Sequence, residues 1–194
     1  MNKLSNQKKG SLLAFIAVML ITPDSILIRL SNIETWGMLF YRGAIPFVVV
    51  LVGLIFFYKN NLFKALINIG YPGIFYVISF SICNITFIIS IQNTNVANTL
   101  VMIAMAPMLS AILGSIFLKE VPDRKTWVAI IITLIAVTYI FHDSIEMGNF
   151  YGDLFGIITA FGLACNAVIA RYAKNRDLVP SAVIGKLCVA IFAF

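Results

Sequence analysis

Charge is what this sequence has least of. Of its 194 residues, 11 % are charged and 61 % hydrophobic, and the mean hydropathy is +0.98. A water-soluble domain carries about 25 % charged and 45–50 % apolar residues. A soluble globule is thereby excluded, and so is a solvated disordered chain, which needs the opposite balance. Histidine occurs once, as His142, and cysteine three times, as Cys83, Cys165 and Cys188, all three inside apolar runs. An odd number of thiols with no ligand spacing argues against a disulfide framework or a metal centre and leaves buried thiols. There is no Gly-rich phosphate loop, which argues against ATP hydrolysis and against a bound cofactor. The net charge of +6 is spread over short loops rather than gathered on one face, so a nucleic-acid partner is not indicated.

What the chain does have is apolar length. One helical crossing takes about 20 apolar residues, and runs of that kind occupy 11–30, 35–58, 70–91, 96–118, 126–141, 152–172 and a stretch from 181 onward. The pattern predicts an all-α integral membrane protein with six full helices and a seventh that is still apolar at Phe194, as though the chain were truncated. Loops this short predict that sequential helices pack as antiparallel hairpins. The first run is too long for a secretory signal, lacks a small-x-small cleavage site and contains Asp24 and Arg29, so it reads as a membrane helix.

The basic residues set an orientation. One set of loops holds Lys3, Lys8, Lys9, Lys59, Lys64, Lys119, Arg124, Lys125, Arg171, Lys174 and Arg176, eleven in all, whereas the alternate set holds Arg29 with Glu34, Asp143, Glu146 and Asp153. Lys and Arg in short loops stay on the cytoplasmic side. The N-terminus is therefore expected in the cytoplasm, in a multi-pass protein of the cytoplasmic membrane.

The chain also aligns with itself. At an offset of 142, Gly10 meets Gly152, Asp24 meets Asn166 and Arg29 meets Arg171; at an offset of 144, Arg42 meets Lys186. This divides the chain into a short N-terminus at 1–10, a five-helix unit at 11–141 and the start of a second unit at 152–194. Five is odd, so the second unit enters the membrane from the opposite side. Such inverted repeats recur in secondary transporters because they supply two near-equivalent states facing opposite sides.

Alongside the expected five-helix unit, several motifs resemble the EamA family of the drug/metabolite transporter superfamily. They are LFYRG around Arg42, MAPMLSAILGSIFLKE ending at Glu120, TWVAIIITLIAVTYIF in the fifth run and GDLFGIITA opening the sixth. The resemblance implies ten helices around a central cavity and the movement of a small polar metabolite. About seven of those ten helices are present.

Polar residues within the runs supply the candidate substrate-binding residues: Asp24, Arg42, Lys186, Asn84 and Asn166. A charge near the bilayer centre costs about 2.5–3.5 kcal/mol on insertion scales and normally faces protein or a watery cavity. Asp24 lies about 9 Å and Arg42 about 10 Å from the same membrane face at 1.5 Å per residue, which predicts an ion pair on neighbouring helices. That pair can be a packing device, or Arg42 can face an anionic substrate while Asp24 positions it or carries a proton. Lys186 lacks a repeat-equivalent acid, because Asn166 stands where Asp24 would, so a substrate carboxylate or phosphate can supply the missing charge. The other readings are an acid elsewhere in the protein or an ammonium reaching toward the cytoplasmic loop. Asn84 needs a polar partner at its depth. Pro46 and Pro107 remove backbone donors and predict helix kinks, and Thr22-Pro23-Asp24 reads as a helix start. Ala106, Ser110 and Gly114, with Gly152 and Gly156, form small-x-x-x-small faces that permit close helix approach.

The function expected is a secondary carrier, not an enzyme, moving a small polar or anionic metabolite. Its partners are that substrate and the lipid bilayer, with a homodimer allowed. The alternatives are an intramembrane enzyme, against which stand the missing second aspartate and the absence of a Ser–His or His/carboxylate cluster, and a non-transporting fragment or assembly subunit.

Overall fold

The computed structural model describes residues 23–59, 62–146 and 150–194, together with 10, 12–13, 15–16 and 19. Residues 1–9, and residues 11, 14, 17–18 and 20–22 of the first apolar run, lie outside the described residues. The chain divides into two compact units, Met1–Ile33 and Glu34–Phe194.

The described residues form helices and no strand. They are α1 (Asp24–Leu30), α2 (Thr35–Tyr58), α3 (Leu62–Ile67), α4 (Gly70–Asn93), α5 (Val96–Ile103), α6 (Ala106–Phe117), α7 (Arg124–Glu146), α8 (Phe150–Tyr172) and α9 (Val179–Ala193). Only α1 belongs to the first unit. It opens at Asp24 directly after Pro23, as a helix start with proline at its head should. Among the described residues, four segments are long and apolar enough to cross a membrane: α2, α4, Val96–Phe117 and α8. Helix α7 has 23 residues, while α9 is a shorter apolar helix of 15.

The fourth apolar run is broken in two. Pro107 has no N–H to give the carbonyl of Ile103, and the helix interrupts at Ala104–Met105, where Met105 N–H turns to Met102 O at 3.1 Å. Helix α2 by contrast runs through Pro46 without a break.

The second unit differs from the expected chain of sequential hairpins. Helix α8 lies most extensively against α4 and next against α6, and α9 lies against α2 and α4, while sequential pairs such as α7 and α8 touch little. The reason is the small-residue face of α8. Gly152, Gly156, Ala160, Gly162 and Ala164 are all buried. A Cβ on Gly152 would stand 2.5 Å from the carbonyl carbon of Asn93, and one on Gly162 would stand 3.1 Å from Cys83 Cβ. In lipid an apolar surface has no preference between a neighbour helix and an acyl chain, so close backbone approach and hydrogen bonding select the partner. The α4–α8 seam supplies both: Thr86 and Thr159 hydroxyls are 2.8 Å apart, and Ser79 Oγ donates to Gly162 O at 3.0 Å. Above this seam, Met102, Met105, Met108, Ile130, Val137 and Ala160 form an apolar cluster joining α5, α6, α7 and α8.

Candidate functional site

One face of α4 carries the contacts of two of the candidate cations, Lys186 and Arg42. Tyr76, Phe80, Asn84 and Phe87 are spaced by four, four and three residues, which places them in one row along the helix. Tyr76 and Phe80 stack with ring centroids 5.6 Å apart and planes inclined by 16°. Asn84 donates from Nδ2 to Phe80 O at 2.7 Å, which fixes the amide and leaves its Oδ1 as an acceptor.

Two cations from different helices lie on this row. Lys186, on α9, donates from Nζ to Asn84 Oδ1 at 2.6 Å and stands 5.3 Å from the centre of the Phe80 ring. Arg42, on α2, holds its guanidinium 5.4 Å from the centre of the Phe87 ring. Ring faces attract cations by about 0.5–2 kcal/mol each, more where water is excluded. The row therefore stabilises two positive charges with a neutral amide and aromatic faces. Arg42, Asn84 and Lys186 are all half-buried.

Glycine sets both helix approaches. At Gly185, next to Lys186, a Cβ would stand 2.8 Å from Phe80 Cδ1, and Ser81 Oγ donates to Gly185 O at 3.1 Å, tying α9 to α4. At Gly43, next to Arg42, a Cβ would stand 2.5 Å from the backbone N of Ala190, so α2 and α9 touch backbone to backbone.

Of the five residues the sequence singles out, the structure joins Asn84 and Lys186 directly and sets Arg42 on the same face of α4, at Phe87. Asn166 is buried on α8, and its Oδ1 has no hydrogen-bond partner. Asp24 opens α1, in the other unit. The sequence reading missed Phe80 and Phe87, although their spacing around Asn84 in FSICNITF is a readable signal. It also placed Asp153 in an outer loop, whereas that carboxyl is fully buried in the first turn of α8, with Thr94 Oγ1 donating to Oδ1 at 2.5 Å. Glu120, noted as closing the fourth run, pairs with Arg171 of α8 at 2.5 Å, and Arg171 also donates to Ser110 O at 2.8 Å. Among the described residues no group of three or more His, Cys, Asp or Glu side chains could hold a metal ion.

Two cations from different helices thus lie along one aromatic row of α4. A family model described as the EamA-like transporter family matches residues 8–142. No curated protein and no solved structure matches the chain.

Proposed function

The chain belongs to the EamA-like transporter family, and from that premise we propose that it is a secondary carrier for a small polar metabolite bearing a carboxylate or phosphate. The observation that carries this reading is the Lys186–Asn84 contact at 2.6 Å, beside Arg42 on the same helix face. The amide is a neutral acceptor, and it orients the ammonium on this face of α4 beside the guanidinium of Arg42. Aromatic faces hold the cations at intermediate strength. That suits a carrier, which must release what it binds.

The inverted repeat expected from the self-alignment suits this role, with α8 and α9 aligned to the first two apolar runs. The pairing of Arg42 with Lys186 in that alignment then gives each half of the carrier one cation. In the same alignment Asn166 stands as the uncharged counterpart of Asp24. The eleven-to-one division of basic residues favours a cytoplasmic N-terminus in the cytoplasmic membrane.

The test is transport of candidate anions by the full-length chain in vesicles, comparing Lys186→Met with Lys186→Arg. Arginine retains the charge and should retain a measurable share of the activity, whereas methionine should abolish it. Unimpaired transport by Lys186→Met would remove Lys186 from the substrate site.

A further inference from the structure

Away from the Arg42–Lys186 row, α4, α6 and α8 enclose an open cleft of about 980 Å³. Its walls are apolar, with Phe75 of α4, Leu113 and Phe117 of α6 and Val168 and Ile169 of α8 among them. Its polar rim is formed by Asn175 and Arg176, from the turn between α8 and α9. It contains none of the five candidate substrate residues.

Arg176 occupies an unusual place. Its guanidinium lies against Gly70, the first residue of α4, where φ is +64°, and a Cβ there would collide with Nη1. Glycine at this position thus does two things: it accepts the left-handed backbone and makes room for the guanidinium. The consequence is a positive side chain at the positive end of a 24-residue helix whose N-terminus has no side-chain cap. A helix N-terminus repels cations and attracts anions. No acid among the described residues pairs with Arg176, and the nearest in sequence, Asp177, accepts from Val179 N–H at 2.9 Å at the start of α9. Two like-signed features therefore converge at the mouth of an apolar cleft, and an anion between them satisfies both.

We propose that this cleft is a binding site for an anionic phospholipid, with the phosphate between Arg176 and the first-turn N–H groups of α4 and an acyl chain along Phe75, Leu113, Phe117 and Ile169. The apolar walls select a lipid over a free phosphate, and the guanidinium selects an anionic headgroup over a zwitterionic one. Basic pockets between membrane helices take acidic headgroups for the same electrostatic reason. The site is independent of the carrier reading, since it shares no residue with the Arg42–Lys186 row.

The experiment is native mass spectrometry of the delipidated full-length protein, titrated with phosphatidylglycerol and phosphatidylcholine of identical acyl chains. Phosphatidylglycerol should be retained about fivefold better, equivalent to about 1 kcal/mol for one basic residue at a membrane surface. Arg176→Gln should bring the ratio close to one, and Arg176→Lys should keep most of it, which separates loss of charge from loss of fold. Leu113→Trp, which fills the cleft, should weaken both lipids together. The proposal is overturned by equal retention of the two lipids in the unmodified protein, or by an unchanged ratio in Arg176→Gln. It is also overturned if Leu113→Trp leaves both lipids bound as before, or if glycerol phosphate displaces the lipid at matched concentration.

Discussion

Gly43→Ala is a sharp probe of how the site is assembled, because it adds one carbon at the point where α2 meets α9. That carbon would stand 2.5 Å from Ala190 N and 2.9 Å from both Ala190 Cα and Cβ. Backbone atoms offer no rotamer by which to yield, so the helices must separate or tilt, carrying Arg42 away from its place on α4. Overpacking of this kind costs about 1–3 kcal/mol, against a gain of about 1 kcal/mol from replacing glycine by alanine within a helix. Gly53→Ala is the matched control, since it lies in the same helix with nothing within 4 Å of its Cβ position, and it should show the gain alone. The two variants should therefore differ in stability by about 1–3 kcal/mol, or about 2–4 °C of melting temperature per kcal/mol at this chain length. Thermal unfolding of the full-length protein in one detergent measures the difference. Equal melting temperatures for the two variants would refute the α2–α9 contact and with it the placement of Arg42.

Three further outcomes are expected. Introduced cysteines at 32 and 95 should be labelled from outside intact cells and those at 121 and 175 should not; position 95 serves in the turn between α4 and α5 because Thr94 is buried against Asp153, and labelling at 121 from outside would reverse the orientation. If Asp24 positions Arg42, Asp24→Asn and Arg42→Gln should each lower the folded yield in membranes and the double variant should recover much of it, whereas purely additive losses would show that they do not interact. Asp123 caps α7, and its carboxyl is held below the usual carboxylate range by the Thr126 hydroxyl at 2.6 Å and then by the Thr126 N–H at 2.8 Å. Its stabilising contribution should therefore be complete above about pH 4, the unfolded value, and fade as pH falls through the lower folded value, so that Asp123→Ala shows a flatter acid limb in a stability–pH profile.

Apolar length and proline were legible in the sequence, and helix partnership was not. The spans of α2, α4 and α8 follow from runs of apolar residues, the break at Ala104–Met105 follows from Pro107, and α1 begins where Pro23 says it should. Hydropathy marks a segment as membrane-compatible but leaves its faces undistinguished, because lipid and protein are both apolar. The α4–α8 seam instead depends on Gly152, Gly156 and Gly162 meeting particular atoms of α4 and α5, a complementarity that no single segment displays. The cations were found because charge inside an apolar run is conspicuous. Phe80 and Phe87 passed unnoticed because phenylalanine there is ordinary, and the Lys186–Asn84 contact joins residues 102 positions apart. The burial of Asp153 was hidden by its place at the start of a run, where an acid reads as a loop residue.

The central claim, a cationic anion receptor on α4, is tested most directly at Asn84→Cys in a background lacking Cys83, Cys165 and Cys188. The rates of modification by an anionic and a cationic methanethiosulfonate of similar size are compared in membranes carrying the full-length protein. With Arg42 and Lys186 in place, the anionic reagent should react faster, and Lys186→Met should reduce or reverse that preference. Faster reaction with the cationic reagent, or no reaction with either, would contradict an anion-receiving site at this position.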